Sequence, residues 1–233
     1  MMEFHVLCAG AVKAALSGLI PGFEMRSGAA LDFTYGPVGT LRQKFVAQAQ
    51  AGVLILNRPT LEQLAAQGRI EHAGIRDIGH VGVGIAVSRH ATPPDVSSGA
   101  ALRHALLQTP SLSYGDPAHG DSSGTHFSSV LEKLGIADQL RAKTHLAGSG
   151  MEVVELVGRG AVELGATQSS VILASDQVVL AGLLPPDLQC LTTYAMAPVP
   201  QAGPWAQAFV DYLCEPAARV HFGKAGFMPT EGR

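Results

Sequence analysis

The sequence predicts an α/β protein of two lobes, each a mostly parallel sheet flanked by helices, with two segments crossing between the lobes. Three observations predict this fold. Short apolar segments alternate with segments of helical periodicity along the chain. Hydrophobic residues make up 47% of the 233 residues and charged residues 15%, which is enough apolar material for a core. The 27 glycines and 14 prolines follow no fixed period and therefore predict many tight turns.

The first 70 residues predict three strand-then-helix units. Each unit joins a compact apolar strand to a segment whose apolar residues recur every three or four positions. The strands are predicted at 5–8, 31–35 and 53–56, and the helices at 12–23, 41–49 and 61–67. Strands and helices in strict alternation favour a parallel sheet.

The rest of the chain continues this pattern. Further strands are predicted at 81–88, 111–114, 162–167, 178–182 and 189–196. Helices are predicted at 100–107, 124–134, 151–157, from 205 to 213 and at 217–222, with a proline-containing loop at 91–96.

Two segments are candidates for crossing between the lobes. Residues 79–88 and 192–199 are the expected hinge crossovers, so residues 1–78 with 200–233 form lobe 1 and residues 89–191 form lobe 2. A cleft between such lobes is the expected ligand site, because open α/β sheets bind ligands beyond the carboxyl ends of their strands.

Charge and motifs exclude several classes of function. The 16 Lys and Arg residues against 19 Asp and Glu residues give a net charge of −3 with no basic block, so no nucleic-acid partner is expected. The chain has no GxxxxGK[ST] sequence, no GxGxxG after a strand, no GxSxG and no His, Cys or Asp cluster with metal-ligand spacing. Apolar runs are too short for membrane insertion. We expect no cofactor and no metal.

Cysteine usage and the N-terminus bear on the compartment. Cys8, Cys190 and Cys214 form no CxxC pair and are expected to be buried free thiols, while a Cys190–Cys214 disulfide remains open. The first residues lead into a strand without a cationic segment or an apolar signal core. The chain is expected to be cytoplasmic if native as given, and periplasmic if a signal peptide was trimmed.

Four loops between a predicted strand and a predicted helix are rich in small or polar residues, at 8–11, 35–40, 115–126 and 147–150. A helix N-terminus carries unsatisfied N–H groups and partial positive charge, so several such ends facing one site would bind an anion. The expected ligand-binding residues in these loops are Ala9, Gly10, Ala11, Gly36, Val38, Gly39, Thr40, Ser122, Ser123, Gly124, Thr125, His126, Ser149 and Gly150. Asn57 and Arg58 join them, because a guanidinium directly after a strand can bind a carboxylate with two hydrogen bonds.

Several longer segments resemble the type II periplasmic solute-binding proteins, specifically the molybdate-binding-protein-like branch of ABC transporter substrate-binding proteins. The segments are VLCAGAVKAAL, FTYGPVGTLRQKF, HVGVGIAVS, YGDPAHGDSSGTHFSSVLEKLGI and FVDYLCEPAARVHFGKAGFMP. The resemblance covers nearly the whole chain and implies two α/β lobes that close on an oxyanion held by hydroxyl and N–H groups.

The positions that match the family's oxyanion-binding residues have lost most of its hydroxyls. Ala11 stands where molybdate binders present a serine, residues 36–39 replace a serine-rich loop, and Gln168 replaces a tyrosine that contacts the oxyanion. Gln168 is therefore an expected side-chain ligand. The third loop is instead enriched in polar residues, which favours a larger, asymmetric anion such as an organic di- or tricarboxylate.

Three functions follow from this resemblance. The first is a solute-binding protein, a monomer or weak dimer, that passes a small anion to an ABC permease if it is exported. The second is a cofactor-independent isomerase of an unsaturated carboxylate, similar to aconitate isomerase, with His126, His119, Glu152 or Lys13 as the candidate base. The third is a cytoplasmic ligand sensor.

Overall fold

The computed structural model describes residues 3–47, 50–200 and 202–230. The chain divides into two compact units, the first made of Met1–Val81 with Thr192–Arg233 and the second of Gly82–Leu191. Expectations that concern residues 1–2, 48–49, 201 and 231–233, including the predicted end of the second helix at 49, lie outside the described residues.

The strands of the described residues are β1 (Glu3–Ala9), β2 (Ala30–Gly36), β3 (Val53–Asn57), β4 (Arg76–Val81), β5 (Val83–Ser88), β6 (Leu112–Gly115), β7 (Thr144–Ala147), β8 (Leu164–Gln168), β9 (Val178–Leu183) and β10 (Thr192–Pro198). The α-helices are α1 (Lys13–Ser17), α2 (Ile20–Ser27), α3 (Val38–Val46), α4 (Arg58–Ala66), α5 (Gly99–Gln108), α6 (Ser122–Lys133), α7 (Ala137–Arg141), α8 (Gly150–Gly158), α9 (Ser169–Leu173), α10 (Pro204–Leu213) and α11 (Pro216–Lys224).

Each unit is built on one five-stranded mixed sheet. The first unit has the order β2-β1-β3-β10-β4, and the second has the order β7-β6-β8-β5-β9. In each sheet the first three strands are parallel and the last two run antiparallel to their neighbours. The alternation of strands and helices predicted the parallel part only, because the reversed strands β10 and β5 each follow a strand of the other sheet, β9 and β4 respectively, with no helix between.

An aromatic cluster holds β2 in place in the first unit. Phe209 of α10 lies 4.9 Å from Phe23 and 6.4 Å from Phe33, measured between ring centres. Phe33 in turn stacks on Tyr35 at 5.3 Å with the rings 3° from parallel. Phe209 is completely buried, and burial of such a side chain stabilises the fold by about 1.5–3 kcal/mol. The cluster therefore fixes the ring of Tyr35 at the carboxyl end of β2.

The core of the second unit brings α6 and α8 close to the sheet. Phe127 of α6 is completely buried and meets Tyr114 of β6 edge-on at 5.4 Å. A Cβ at Gly165 of β8 would lie 2.7 Å from Val153 and 2.8 Å from Val157, both on α8. Glycine at 165 thus permits the close approach of α8, whose first turn follows β7 directly.

Two predicted elements differ from the structure for local reasons. The predicted helix over 12–23 is two helices, α1 and α2, with Gly18 and Leu19 between them. Pro21 has no N–H to donate, so it suits the first turn of α2 and not the middle of a longer helix. The predicted strand over 81–88 is also divided, since Val81 ends β4 in one sheet and Val83 begins β5 in the other.

Candidate functional site

The carboxyl ends of the three parallel strands in the first unit gather the predicted loops on one edge of the sheet. Ala9 at the end of β1 pairs with Gly36 at the end of β2, and Cys8 pairs with Ile55 two residues before the end of β3. A short 3-10 helix at Gly10–Val12, α3 and α4 follow these ends directly. This edge therefore carries Ala9, Gly10, Ala11, Gly36, Val38, Gly39, Thr40, Asn57 and Arg58.

The start of α3, like that of the short 3-10 helix at Gly10–Val12, is a helix terminus on this edge without a side-chain cap. Pro37 precedes it in an extended conformation, and no side chain caps the helix. The first-turn N–H groups of Val38 and Gly39 therefore point along the helix axis beyond the end of β2, where partial positive charge accumulates. Asn57, in contrast, caps α4, because its Oδ1 accepts a hydrogen bond of 3.1 Å from the backbone N–H of Thr60.

Lys13 lies beside the same edge. Its Nζ is 5.1 Å from the centre of the Tyr35 ring, which is a cation–π contact. Tyr35 is half-buried. Its burial raises the pKa of the phenol above the ordinary range, and the neighbouring Cys8 contributes a smaller rise. Among the described residues Lys13 forms no ion pair. The edge thus combines backbone N–H groups, one ammonium group and a phenol that stays protonated.

Arg58 is already bound to two carboxylates of its own unit. Its Nε donates to Glu62 Oε1 at 2.9 Å, and its Nη1 donates to Asp77 Oδ1 on β4. The hydrogen bond to Asp77 is the largest cause that raises the pKa of Arg58. Sequence reasoning did not anticipate Asp77 as a neighbour of this edge, and it placed Tyr35 in the loop at 35–40 without naming it as a site residue. A ligand carboxylate at Arg58 would have to share or displace these partners.

The second unit has an equivalent edge. Gly115 at the end of β6 pairs with Ala147 at the end of β7, and β8 runs parallel beside β6. Helices α6, α8 and α9 begin after these three strands, so Ser122, Ser123, Gly124, Thr125, His126, Ser149, Gly150 and Gln168 follow one edge of the sheet.

An internal carboxylate occupies the start of α6. Asp121 is buried and caps the helix, because its Oδ1 accepts hydrogen bonds from the Ser123 hydroxyl at 2.6 Å and the Gly124 N–H at 2.7 Å. A Cβ at Gly124 would lie 1.7 Å from the carbonyl oxygen of Gly115, so only glycine fits there. These contacts make the predicted third loop a tightly packed, capped turn. The Asp121 carboxylate already takes the place at the helix start that an anion would take.

The start of α8 is capped in a reciprocal way. The Ser149 hydroxyl accepts from the N–H of Glu152 at 3.3 Å, and the Glu152 carboxylate accepts from the N–H of Gly148 at 2.7 Å. This is a variant of the capping box. Gly150 lies against Thr167, since a Cβ at that position would be 2.3 Å from the threonine hydroxyl.

Three of the four candidate bases lie in the second unit. Nε2 of His126 is 2.8 Å from the carbonyl oxygen of Leu188, and Glu152 is engaged in the helix cap. His119 lies at the end of a short 3-10 helix, with Nδ1 4.0 Å from Asp116 and 55% of its side chain exposed. Gln168 is almost fully buried at the end of β8. Lys13, in the first unit, is the candidate that lies next to an uncapped helix start.

Three further observations concern metals, membranes and thiols. Within the described residues no group of three or more His, Cys, Asp and Glu side chains is placed to hold a metal ion. No helix in that part of the chain is both long and apolar enough to cross a bilayer. The three cysteines are free thiols. Cys8 is buried as expected, Cys214 is only half-buried, and the expectation is wrong for Cys190, which is exposed at the end of the second unit.

The two mixed sheets, each with helices starting at the carboxyl ends of its parallel strands, define a two-lobed fold of the periplasmic-binding-protein type. The family model described as bacterial extracellular solute-binding protein matches residues 4–228. The chain belongs to this family.

Individual relatives extend the comparison. The chain is 27% identical over 233 residues to an aconitate isomerase of a Pseudomonas species, covering 97% of this chain and 87% of that protein. The periplasmic molybdate-binding protein of Azotobacter vinelandii has the same fold, with a TM-score of 0.83, 18% identity and coverage of 98% and 100% of the two chains. L-phospholactate-bound PEB3 gives a TM-score of 0.72 at 15% identity, covering 97% and 100%. The family and the fold predicted from the sequence are both confirmed.

Proposed function

We propose that the protein binds a small organic di- or tricarboxylate at the carboxyl edge of the sheet in its first unit. The observation that carries this proposal is the uncapped start of α3 beside Lys13 and Tyr35. One carboxylate group would accept from the N–H groups of Val38 and Gly39 and lie near the Lys13 ammonium. Arg58, on the same edge, would bind another carboxylate group of the ligand by sharing or displacing Glu62 and Asp77. The ligand role of Ser149, Gly150 and Gln168 on the edge of the second unit stays a prediction.

The distribution of donors favours a carboxylate over a tetrahedral metal oxyanion. Ala11, Val38 and Gly39 offer only backbone groups at the first two loops, where molybdate-binding relatives use hydroxyls. In the second unit, the Ser123 hydroxyl donates to Asp121, which leaves less donor capacity for a compact dianion. The aconitate isomerase of Pseudomonas is named for a tricarboxylate, which supports the same class here.

A ligand panel tests this proposal directly. The purified protein is titrated by calorimetry and by thermal unfolding with citrate, cis-aconitate and trans-aconitate, and with molybdate and sulfate for comparison. A ligand present at about 100 times its Kd stabilises the native state by about 2.7 kcal/mol, which is a measurable rise in Tm. We expect at least one tricarboxylate to bind and the inorganic anions to bind more weakly. Preferential binding of molybdate, or no binding of any carboxylate, would overturn the proposal.

A second candidate function is the isomerisation of an unsaturated tricarboxylate, favoured by the 27% identity to aconitate isomerase. A base would take a proton from the CH2 carbon next to the double bond, the double bond would shift, and a proton would return to the former vinyl carbon. No electron acceptor is needed. Lys13 and Tyr35 are the titratable pair at the proposed carboxylate site, and backbone N–H groups there would stabilise the negative charge that develops.

Proton NMR separates binding from catalysis. The protein is incubated with trans-aconitate in D2O, and the vinyl and CH2 signals are followed over time. An isomerase gives cis-aconitate and deuterium in the CH2 group, whereas a binding protein gives line broadening with unchanged chemistry. Unchanged spectra at high protein concentration would exclude aconitate as a substrate while leaving the binding proposal intact.

A further inference from the structure

A pocket lies wholly within the second unit, at the edge of its sheet opposite the carboxyl ends of β6, β7 and β8. Its floor includes Leu164, the first residue of β8, and Val87, which pairs with Leu164 across β5 and β8. Gln168, at the other end of β8, is four residues away, or about 13 Å at the rise of an extended strand. The pocket is therefore separate from the carboxyl edge described above.

The shape of the pocket results from small residues on α5. Ala101 and Ala105 are four residues apart and so lie on the same face of the helix, where they leave room beside the sheet. The loop containing Pro94 forms the opposite wall. The resulting volume of about 520 Å³ is in the range of small-molecule sites in proteins. The apolar floor and walls fit a small hydrocarbon or aromatic body.

The rim of the pocket is acidic. Asp95 and Glu163 both line it, together with His104 and Gln108, and none of the described lining residues is a lysine or an arginine. Hydrogen bonds from Ser97 lower the pKa of Asp95, so its carboxylate is charged at neutral pH. Neither Asp95 nor Glu163 forms an ion pair within the described residues.

We propose that this pocket binds a small organic cation, a primary ammonium group attached to an apolar body. The apolar part would lie against Val87, Ala105 and Leu164, and the ammonium group would lie between the carboxylates of Asp95 and Glu163. Such a ligand is opposite in charge to the ligand proposed for the carboxyl edge. The chain would then carry two sites of opposite charge preference, one at the carboxyl edge of the first unit and one within the second unit.

The test uses three probes that share one apolar body: benzylamine, benzyl alcohol and benzoate. Each is titrated into the full-length 15N-labelled protein and followed by amide chemical shifts. We expect benzylamine to shift amides of α5, residues 91–95 and the start of β8, with affinity in the order benzylamine, benzyl alcohol, benzoate. Binding of benzoate at this pocket with equal or higher affinity would overturn the charge assignment. The absence of benzylamine shifts at these amides would overturn the site.

Two variants with matched controls locate the contacts. Ala105→Phe fills the pocket and should abolish the benzylamine shifts, whereas Ala100→Phe on the exposed side of α5 should not. Glu163→Gln should weaken benzylamine about two- to fivefold, as expected for an exposed ion pair, while Glu155→Gln on α8 should leave it unchanged. Equal effects of Glu163→Gln and Glu155→Gln would contradict the proposal, and this comparison remains valid if Ala105→Phe fails to fold.

Discussion

The ammonium nitrogen of Lys13 lies 5.1 Å from the centre of the Tyr35 ring at the carboxyl end of β2. Phe33 stacks on the same ring at 5.3 Å, so the position of Lys13 is tied to the aromatic cluster of the first unit. The ring quadrupole attracts the ammonium group, and those of its three N–H groups that point away from the ring remain available as hydrogen-bond donors. This arrangement places a positive charge beside the uncapped start of α3.

Replacement of Lys13 by Met should weaken carboxylate binding about tenfold or more, because a charge-assisted hydrogen bond is lost. Isothermal titration calorimetry with the tightest carboxylate of the panel measures the effect. Lys13→Arg keeps the charge and should retain most of the affinity. Lys44→Met, at the exposed last turn of α3, is the control and should bind like the unaltered protein. Equal affinities for Lys13→Met and Lys44→Met would remove Lys13 from the site.

Asp77→Asn should strengthen anion binding, because it removes one of the two carboxylates that neutralise the Arg58 guanidinium and so increases the attraction between Arg58 and an anion. We expect a rise in affinity of about threefold and a loss of up to about 1 kcal/mol in the free energy of unfolding, since the pair is partly exposed. Calorimetry and urea unfolding measure the two quantities. Glu71→Gln, an exposed carboxylate of the same unit, is the control. A fall in affinity for Asp77→Asn alone would mean that Asp77 orients Arg58 for the ligand instead of neutralising it.

The pairing of Arg58 with Asp77 marks the limit of prediction from the sequence. Periodicity and turn residues predicted the strands and helices that place the loops, since these are local properties of the chain. The strand β4 was not predicted over 76–81, because its Arg76 and Asp77 are exposed and break the apolar pattern. The neighbours of Arg58 depend on the insertion of β10 between β3 and β4, which no local pattern encodes.

The caps of the helices show the same limit on a smaller scale. Glu152 falls in the first turn of the helix predicted at 151–157, where a negative charge is favourable to the helix dipole. Its return hydrogen bond to Gly148 depends on a side-chain conformation that the sequence does not specify.

Glu152→Gln should lower the stability of the protein by about 0.3–1 kcal/mol, because a charge favourable to the helix dipole is removed. Ligand binding and any isomerase rate should remain unchanged, since the carboxylate is engaged in the cap. Thermal unfolding and the NMR assay check both parts. Glu155→Gln, exposed in the same helix but beyond the first turn, should have no effect on either. A loss of turnover of a hundredfold or more with unchanged stability would instead identify Glu152 as a catalytic base.

The three thiols should react with Ellman's reagent at very different rates. Cys190 is exposed and should react first. Burial raises the pKa of Cys8, and partial burial raises that of Cys214, so the reactive thiolate form of both residues is disfavoured at neutral pH. Absorbance at neutral pH should show one fast equivalent, a slower second one, and a third only after unfolding in guanidinium. Cys190→Ser should remove the fast phase, and persistence of that phase would contradict the assignment.

Gly124→Ala should be among the most damaging small substitutions in the second unit. The added Cβ would lie 1.7 Å from the carbonyl oxygen of Gly115, and backbone cannot move away as a flexible side chain can. We expect a loss of about 3 kcal/mol in the free energy of unfolding, at the upper end of the range for overpacking. Gly223→Ala in α11 is the matched control, because no other side chain or distant backbone atom lies within 4 Å of the position that the added methyl group would take. Since alanine favours a helix more than glycine does, the free energy of unfolding should rise by about 0.5–1 kcal/mol. Urea unfolding with unchanged m-values measures both. If the two variants are equally stable, α6 does not pack against the end of β6 as closely as the structure shows.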